Sequence, residues 1–181
     1  MTSSALEQSQ ALFIRRWGTM GTTWGISRTM AEIHALLYIS VEPLCTDDVM
    51  QQLQVSRGNA SMNLRQLLNW GLIRRIHRLG DRKDYFAAET DVWQLFEIII
   101  RERRRREVEP ILETIDRCGQ MVEAELSTAR AAERKSIETY RARLNDMREF
   151  LEMMNVLLNG VMKVGSSGMR RTLPALMKLL S

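Results

Sequence analysis

The stretch Ser56-Arg57-Gly58-Asn59-Ala60-Ser61-Met62-Asn63-Leu64-Arg65-Gln66-Leu67-Leu68-Asn69, followed at once by Trp70-Gly71-Leu72-Ile73-Arg74-Arg75, decides the fold. Ser56 is a natural N-cap, because its hydroxyl can accept from an unpaired amide of the first turn. Ala60, Leu64, Leu67 and Leu68 then recur at i, i+4, i+7 and i+8, which is one face of a helix. Asn59, Met62, Gln66 and Asn69 lie on the opposite face, flanked by Asn63 and Arg65. Trp70-Gly71 stops the helix. Residues 72–78 read as a strand and 84–88 as its partner, joined by the polar turn Leu79-Gly80-Asp81-Arg82-Lys83.

Working upstream, residues 46–53 read as a short helix capped by Thr46, with Asp47 and Asp48 where the helix dipole favours acids. Val49, Met50 and Leu53 form its apolar side. Ser27 caps a helix over 28–40 that carries Met30, Ile33, Leu36 and Leu37 on one face, and a first helix covers 5–16. Between these two, the Gly/Thr-rich run 17–25 reads as a break. Working downstream, Thr90-Asp91 caps a helix that begins at Val92, and Pro110 marks a kink or a new first turn. Helix, short helix, turn, helix and two-stranded hairpin is the order of a winged helix-turn-helix. The expected fold is therefore mainly α, with a two-stranded β wing and long C-terminal helices. The expected domains are 1–90 and 91–181.

Charge falls on the same unit. The 181-residue chain has a formal net charge of only +4. Residues 56–83 hold seven basic side chains (Arg57, Arg65, Arg74, Arg75, Arg78, Arg82, Lys83) against one acid, Asp81, a net +6, which leaves −2 on the remainder. Phosphates attract such a patch through counterion release. A second helix laid in the major groove presents its N-terminal side chains to base edges. Asn59, Asn63 and Gln66 suit adenine, Arg57 and Arg65 suit guanine or phosphate, and Gly58 permits close backbone approach. The competing reading of the same helix is an amphipathic core element with a solvated polar face.

The run from Leu53 to Arg65 resembles the recognition helix of the GbsR-like branch of the MarR superfamily. So do Trp70-Gly71-Leu72-Ile73-Arg74-Arg75, Gly80-Asp81-Arg82-Lys83-Asp84-Tyr85-Phe86 and the lead-in Trp24-Gly25-Ile26-Ser27-Arg28. The resemblance covers about residues 17–110. It implies a dimeric, sequence-specific transcriptional regulator with helical dimerisation arms, and some members resemble choline-responsive repressors of glycine betaine synthesis or uptake. Carried over by position, it implies DNA-binding roles for Ser56, Arg57, Gly58, Asn59, Ser61, Met62, Asn63, Arg65 and Gln66, and wing roles for Arg78, Arg82 and Lys83. Double-stranded DNA with a palindromic operator and a second copy of the chain are the implied partners, with a small-molecule effector besides. A quaternary ammonium effector needs an aromatic cage. Trp17, Trp24, Trp70 and Trp93 are candidates for one and equally for core.

Beyond Pro110 the chain reads as helical to about Val161. Ile137, Tyr140, Leu144, Met147, Leu151, Met154, Leu158 and Val161 are spaced 3, 4, 3, 4, 3, 4, 3, a heptad seam suited to dimerisation. Its flanking e and g positions include Arg141, Arg143 and Arg148 and no acid, which disfavours a parallel homodimer. Acids lie instead at Glu109, Glu113, Asp116, Glu123 and Glu125, so antiparallel packing on residues 107–125 is expected, within or between subunits. The run Arg101-Glu102-Arg103-Arg104-Arg105-Arg106-Glu107 reads as a solvated helix held by Glu97–Arg101, Glu102–Arg106 and Arg103–Glu107 pairs. A linker at 163–168 and a last helix at 172–180 complete the expected elements.

The exclusions are as informative. Cys45 and Cys118 cannot form a disulfide framework and suit a reducing cytoplasm. No apolar run reaches a membrane span, and the polar start 1–10 does not read as a signal peptide. His34 and His77 stand at no metal-ligand spacing with a cysteine. No nucleophile–base constellation or phosphate-cradling glycine loop is present, so neither an enzyme nor a cofactor is expected. The alternative function is a helical protein-interaction module that keeps the winged-helix fold.

Overall fold

The computed structural model describes residues 4–126 and 129–166. The chain forms two compact units, Met1–Ile98 and Ile99–Ser181, and the boundary falls inside a helix rather than at residue 90.

The first unit begins with α1 (Ala5–Thr23), capped by Ser4, whose side chain accepts from the Glu7 amide while Glu7 reaches back to the Ser4 amide. The expected break at 17–25 begins only at Trp24. Helix α1 runs through Gly18 and Gly21 because these residues face α2 (Arg28–Ile39) at very short range. A Cβ at Gly21 would sit 2.5 Å from Ala31 Cβ, and one at Gly18 would sit 2.6 Å from Glu32 Cγ. The glycines that read as a helix stop are therefore the places where two backbones meet, and that packing offsets their poor helix propensity of about 1 kcal/mol each. The Thr19 and Thr22 hydroxyls bond back to the carbonyls of Arg15 and Thr19 within the helix.

Helix α2 is capped by Ser27, which accepts from the Met30 amide at 3.1 Å. Met30, Ile33, Leu36 and Leu37 are all buried, as the periodicity requires. Next come β1 (Leu44–Cys45) and α3 (Thr46–Leu53). The N-cap of α3 is Cys45, not Thr46: the Cys45 amide donates to Asp48 Oδ2 at 2.8 Å. Gln54 closes α3 in the left-handed region, and Ser56 then caps α4 (Arg57–Trp70), accepting from the Asn59 amide at 3.3 Å. Gly71 ends α4 at φ +77°, a conformation that suits glycine.

Strands β2 (Ile73–His77) and β3 (Asp84–Ala88) form the hairpin, in register from Ile73 opposite Ala88 to His77 opposite Asp84. This hairpin is the expected two-stranded wing, and the sheet it belongs to has a third strand. Strand β1 adds to β3, with Leu44 opposite Phe86 and Cys45 opposite Tyr85, giving an antiparallel sheet of order β1-β3-β2. Val49, Ala60, Leu64, Leu67, Leu72, Ile73 and Phe86 complete the core begun by α2.

A row of rings runs beside it. Phe13 packs on Trp17 with centroids 5.6 Å apart, Trp17 on His34 at 6.1 Å, and His34 on Tyr38 at 6.2 Å. Burial pushes the His34 imidazole down to about 4, and its Nε2 has no hydrogen-bond partner among the described residues. Above pH 6.5 this group is neutral folded and unfolded, so its site is neutral to stability there. As pH falls below 6.5 the unfolded chain takes up a proton that the native state refuses, until about pH 4. The expected loss across that window is about 3 kcal/mol. Denaturant melts at stepped pH should show it, and His34→Phe should flatten that part of the curve. An identical acid limb in the variant would place the titration elsewhere.

Helix α5 (Val92–Arg103) is capped by Asp91, which accepts from the Trp93 amide at 2.8 Å. In the second unit Pro110 lies in the first turn of a new helix, as expected. A π-turn (Arg104–Val108) precedes α6 (Glu109–Leu126), and the Glu109 amide donates to the Arg104 carbonyl five residues back. One residue extra in the turn gives the proline ring room where an α-helical carbonyl would clash. Arg103 pairs with Glu107 at 3.2 Å as expected, and the buried Glu102 bonds Arg105.

Helix α7 (Ala131–Ser166) extends past the expected linker start at 163; the expected helix at 172–180 lies outside the described residues. Arg141 reaches Glu123 at 2.8 Å and Arg148 reaches Asp116 at 2.5 Å. The pairs run in opposite senses along the two helices, so α6 and α7 are antiparallel within one chain. The heptad seam does not present as one stripe. Ile137, Leu144, Leu151 and Leu158 are half-buried, and Leu144 lines a groove with Ile115 of α6. Tyr140, Met147, Met154 and Val161 are exposed in the same chain.

Candidate nucleic-acid interface

Helix α4 is the element whose sequence faces two ways, and the structure sorts its residues. Ser56, Arg57, Gly58, Met62 and Arg65 are exposed, while Asn59, Ser61 and Gln66 are half-covered. Gly58 has nothing within 4 Å of a Cβ built upon it, so its backbone lies open to an approaching ligand.

Asn63 departs from expectation. It is 1% exposed, and its polar atoms are used internally. Its Nδ2 donates to the Asn59 carbonyl at 2.8 Å and to Asn59 Oδ1 at 2.6 Å, and its Oδ1 accepts from Ser27 Oγ at 3.0 Å. Ser27 in turn caps α2, so Asn63 ties the recognition-type helix to the start of α2. It has no free edge to offer a base. The one-turn arithmetic that placed Asn63 on the flank was right, but α2 covers that flank. The same bonds occupy the Asn59 carboxamide oxygen and hold the Asn59 side chain over the helix surface.

The wing is organised by Asp81. Its Oδ1 accepts from the Lys83 amide at 2.9 Å and its Oδ2 from the Tyr85 hydroxyl at 2.7 Å, which fixes the turn. These donors hold the Asp81 carboxyl below the usual carboxylate range, and the same bond pushes the Tyr85 phenol up. The Arg78 guanidinium stands 4.2 Å over the Tyr85 ring and pairs with Glu42 at 3.2 Å. Arg75 pairs with Asp84 at 3.3 Å. Arg57 and Lys83 both reach Asp47, at 2.5 and 3.2 Å. Arg65, Arg74 and Arg82 are exposed and have no charge partner among the described residues.

Sequence reasoning missed Asp47 and Glu42. Neither lies near its basic partner in the chain, so no local pattern signals either one. Only folding of α3 and β1 against α4 and the wing brings them together.

No protein-family model matches the chain. Two curated proteins do. The HTH-type transcriptional repressor GbsR of Bacillus subtilis is 26% identical over 106 residues, covering 59% of this chain and 58% of GbsR. Over that stretch the chain is similar to GbsR. A second relative of the same organism, YvaV, is 23% identical over 91 residues, covering 50% of this chain and 51% of YvaV. The chain thus spans a little over half the length of the curated relatives it matches. Among solved structures, a crystal structure of a transcriptional regulator superposes with a TM-score of 0.64 at 23% identity, covering 88% of this chain and 99% of that one. The two share one fold over that length.

Among the described residues, no three His, Cys, Asp or Glu side chains gather where a metal could sit, and no helix is long and apolar enough to cross a membrane.

Proposed function

We propose that the chain is a dimeric, sequence-specific DNA-binding transcriptional repressor that acts in the cytoplasm and is modulated by a small-molecule effector. The observation that supports this reading best is the surface shared by α4 and the wing. Arg65, Arg74 and Arg82 are free of charge partners on the one unit whose helix can enter a groove. Ser56, Gly58, Met62 and Arg65 offer the exposed edge that reads bases, assisted by the half-covered Ser61 and Gln66, and Arg78, Arg82 and Lys83 act from the wing on the phosphates or the minor groove. Asn63 is left out of the reading surface on the grounds of its burial. A choline- or betaine-type effector is the reading drawn from the resemblance to regulators of osmoprotection, and it would act by binding one of two states of the dimer more tightly.

The test is a salt-titrated binding assay against the duplex upstream of the protein's own gene. Arg82→Ala is expected to weaken operator and random DNA alike and to reduce the salt slope by about 0.9. Arg65→Ala is expected to cost about tenfold to a hundredfold on the operator, the range of one base or phosphate contact. If both variants bind as the parent does, the surface is wrongly assigned.

A helical protein-interaction module is the second reading, favoured by the exposed apolar residues of α7. A stable hetero-complex together with no salt-sensitive DNA binding would select it.

A further inference from the structure

Asp47 is the second residue of α3, and it is Asp48, not Asp47, whose carboxylate accepts from the N-cap amide of Cys45. The Asp47 side chain is directed elsewhere. Its Oδ1 accepts from Arg57 Nη2 at 2.5 Å, and its Oδ2 lies 3.2 Å from Lys83 Nζ. Arg57 is the first residue of α4, and Lys83 closes the wing turn. One carboxylate thus joins the two elements that would touch DNA, through the cation each carries nearest to the other. The two cations hold the Asp47 carboxyl below the usual carboxylate range, and the carboxylate pushes the Lys83 amine up, so all three stay charged at neutral pH.

The geometry has a second meaning. A guanidinium on one oxygen and an ammonium on the other is how a phosphate's two non-bridging oxygens would be held. All three side chains are exposed, and exposed ion pairs are weak, so a phosphate can displace the carboxylate. We propose that Asp47 is an intramolecular phosphate mimic: it occupies Arg57 and Lys83 in the free protein and yields them to the DNA backbone on binding. Asp47 thereby sets how tightly the protein holds DNA of any sequence. The backbone contribution is sequence-independent and dominates non-specific binding. A carboxylate that competes for two of its cations lowers occupancy on random DNA and leaves the base-reading edge of α4 untouched. This inference rests on the DNA-binding reading above.

The experiment compares the full chain with Asp47→Asn, on the operator duplex and on a random duplex of equal length, over a salt series. Asp47→Asn is expected to bind both duplexes about tenfold more tightly at low salt, by the same factor on each. Its salt slope should stay within about 0.9 of the parent's, because the same two cations meet phosphates in both complexes. The gain should shrink to less than twofold when Asp47→Asn is made in an Arg57→Gln/Lys83→Gln background, because there is then nothing to compete for. Circular dichroism checks that each variant is folded, as is expected for a substitution at an exposed position. Unchanged or weaker binding by Asp47→Asn overturns the proposal. So does a gain that persists in full without the two cations, which would be a general charge effect. If the parent chain binds neither duplex at low salt, the DNA-binding reading itself falls, and this inference with it.

Discussion

Asn63→Asp is expected to destabilise the first unit by about 3–5 kcal/mol at neutral pH, the penalty for an uncompensated buried charge. The site is 1% exposed, and the atom that becomes an oxygen faces two others, the Asn59 carbonyl and Asn59 Oδ1. A native domain has about 5–15 kcal/mol to lose, so the variant should approach global unfolding near ambient temperature. The sign of its pH dependence is specific. Burial raises the pKa of the introduced carboxyl above its unfolded value near 3.9. The variant's deficit relative to the parent should therefore be small below pH 4, where the carboxyl is protonated and can donate as the amide did. It should grow as pH rises above 4. Urea melts of both proteins at stepped pH measure it. A deficit under about 1 kcal/mol at pH 7 would mean that Asn63 is hydrated, and would return it to the list of possible base contacts.

The second large effect concerns association. Met147, Phe150, Met154, Leu157 and Val161 are exposed on α7 and spaced 3, 4, 3, 4. They form a stripe beside the half-buried line Ile137, Leu144, Leu151 and Leu158 that serves the chain's own helical hairpin. An apolar stripe of that length is more than a monomer ordinarily shows to water, and the proposed dimer would cover it. If the chain dimerises through α7 as proposed, Met147→Glu with Phe150→Glu is expected to leave a monomer in light scattering. Helix content should be kept, because the line facing α6 is untouched. Operator affinity should fall by about 100-fold or more, since two linked reading heads gain 10²–10⁴ over one. Leu151→Glu should instead disturb the hairpin itself. A dimer mass unchanged in the double variant would remove α7 from the interface.

These two cases show what the sequence makes legible. Helix α4, its Ser56 cap and the hairpin could be read because each rests on local rules of period, capping and turn chemistry. The antiparallel pairing of α6 with α7 could be read because Arg141 and Arg148 needed acids, and Glu123 and Asp116 were the acids in reach. What escaped depends on distant partners. Strand β1 is two residues long and exists only because β3 offers an edge. Asn63 was assigned to DNA because nothing near it in sequence shows that Ser27 lies across from it. The heptad pattern merged two lines of residues, since a period of 3.5 does not tell how many neighbours a helix has. Gly18 and Gly21 were read by propensity, which tertiary packing overrides.

Those two glycines carry a mechanical consequence. Two helices in ordinary contact can creep past one another by a turn, since one bulky side chain replaces another of similar size. On α1 that freedom is absent. Shifting α1 by about one turn would press Trp17 against Ala31 or Thr22 against Glu32, where even a Cβ built on the glycine would come within 2.5 or 2.6 Å. The glycine pair acts as a detent that fixes α1 along α2 at one register. Whatever displacement this unit undergoes, α1 travels with α2 as one piece or lifts away from it entirely; it does not slide.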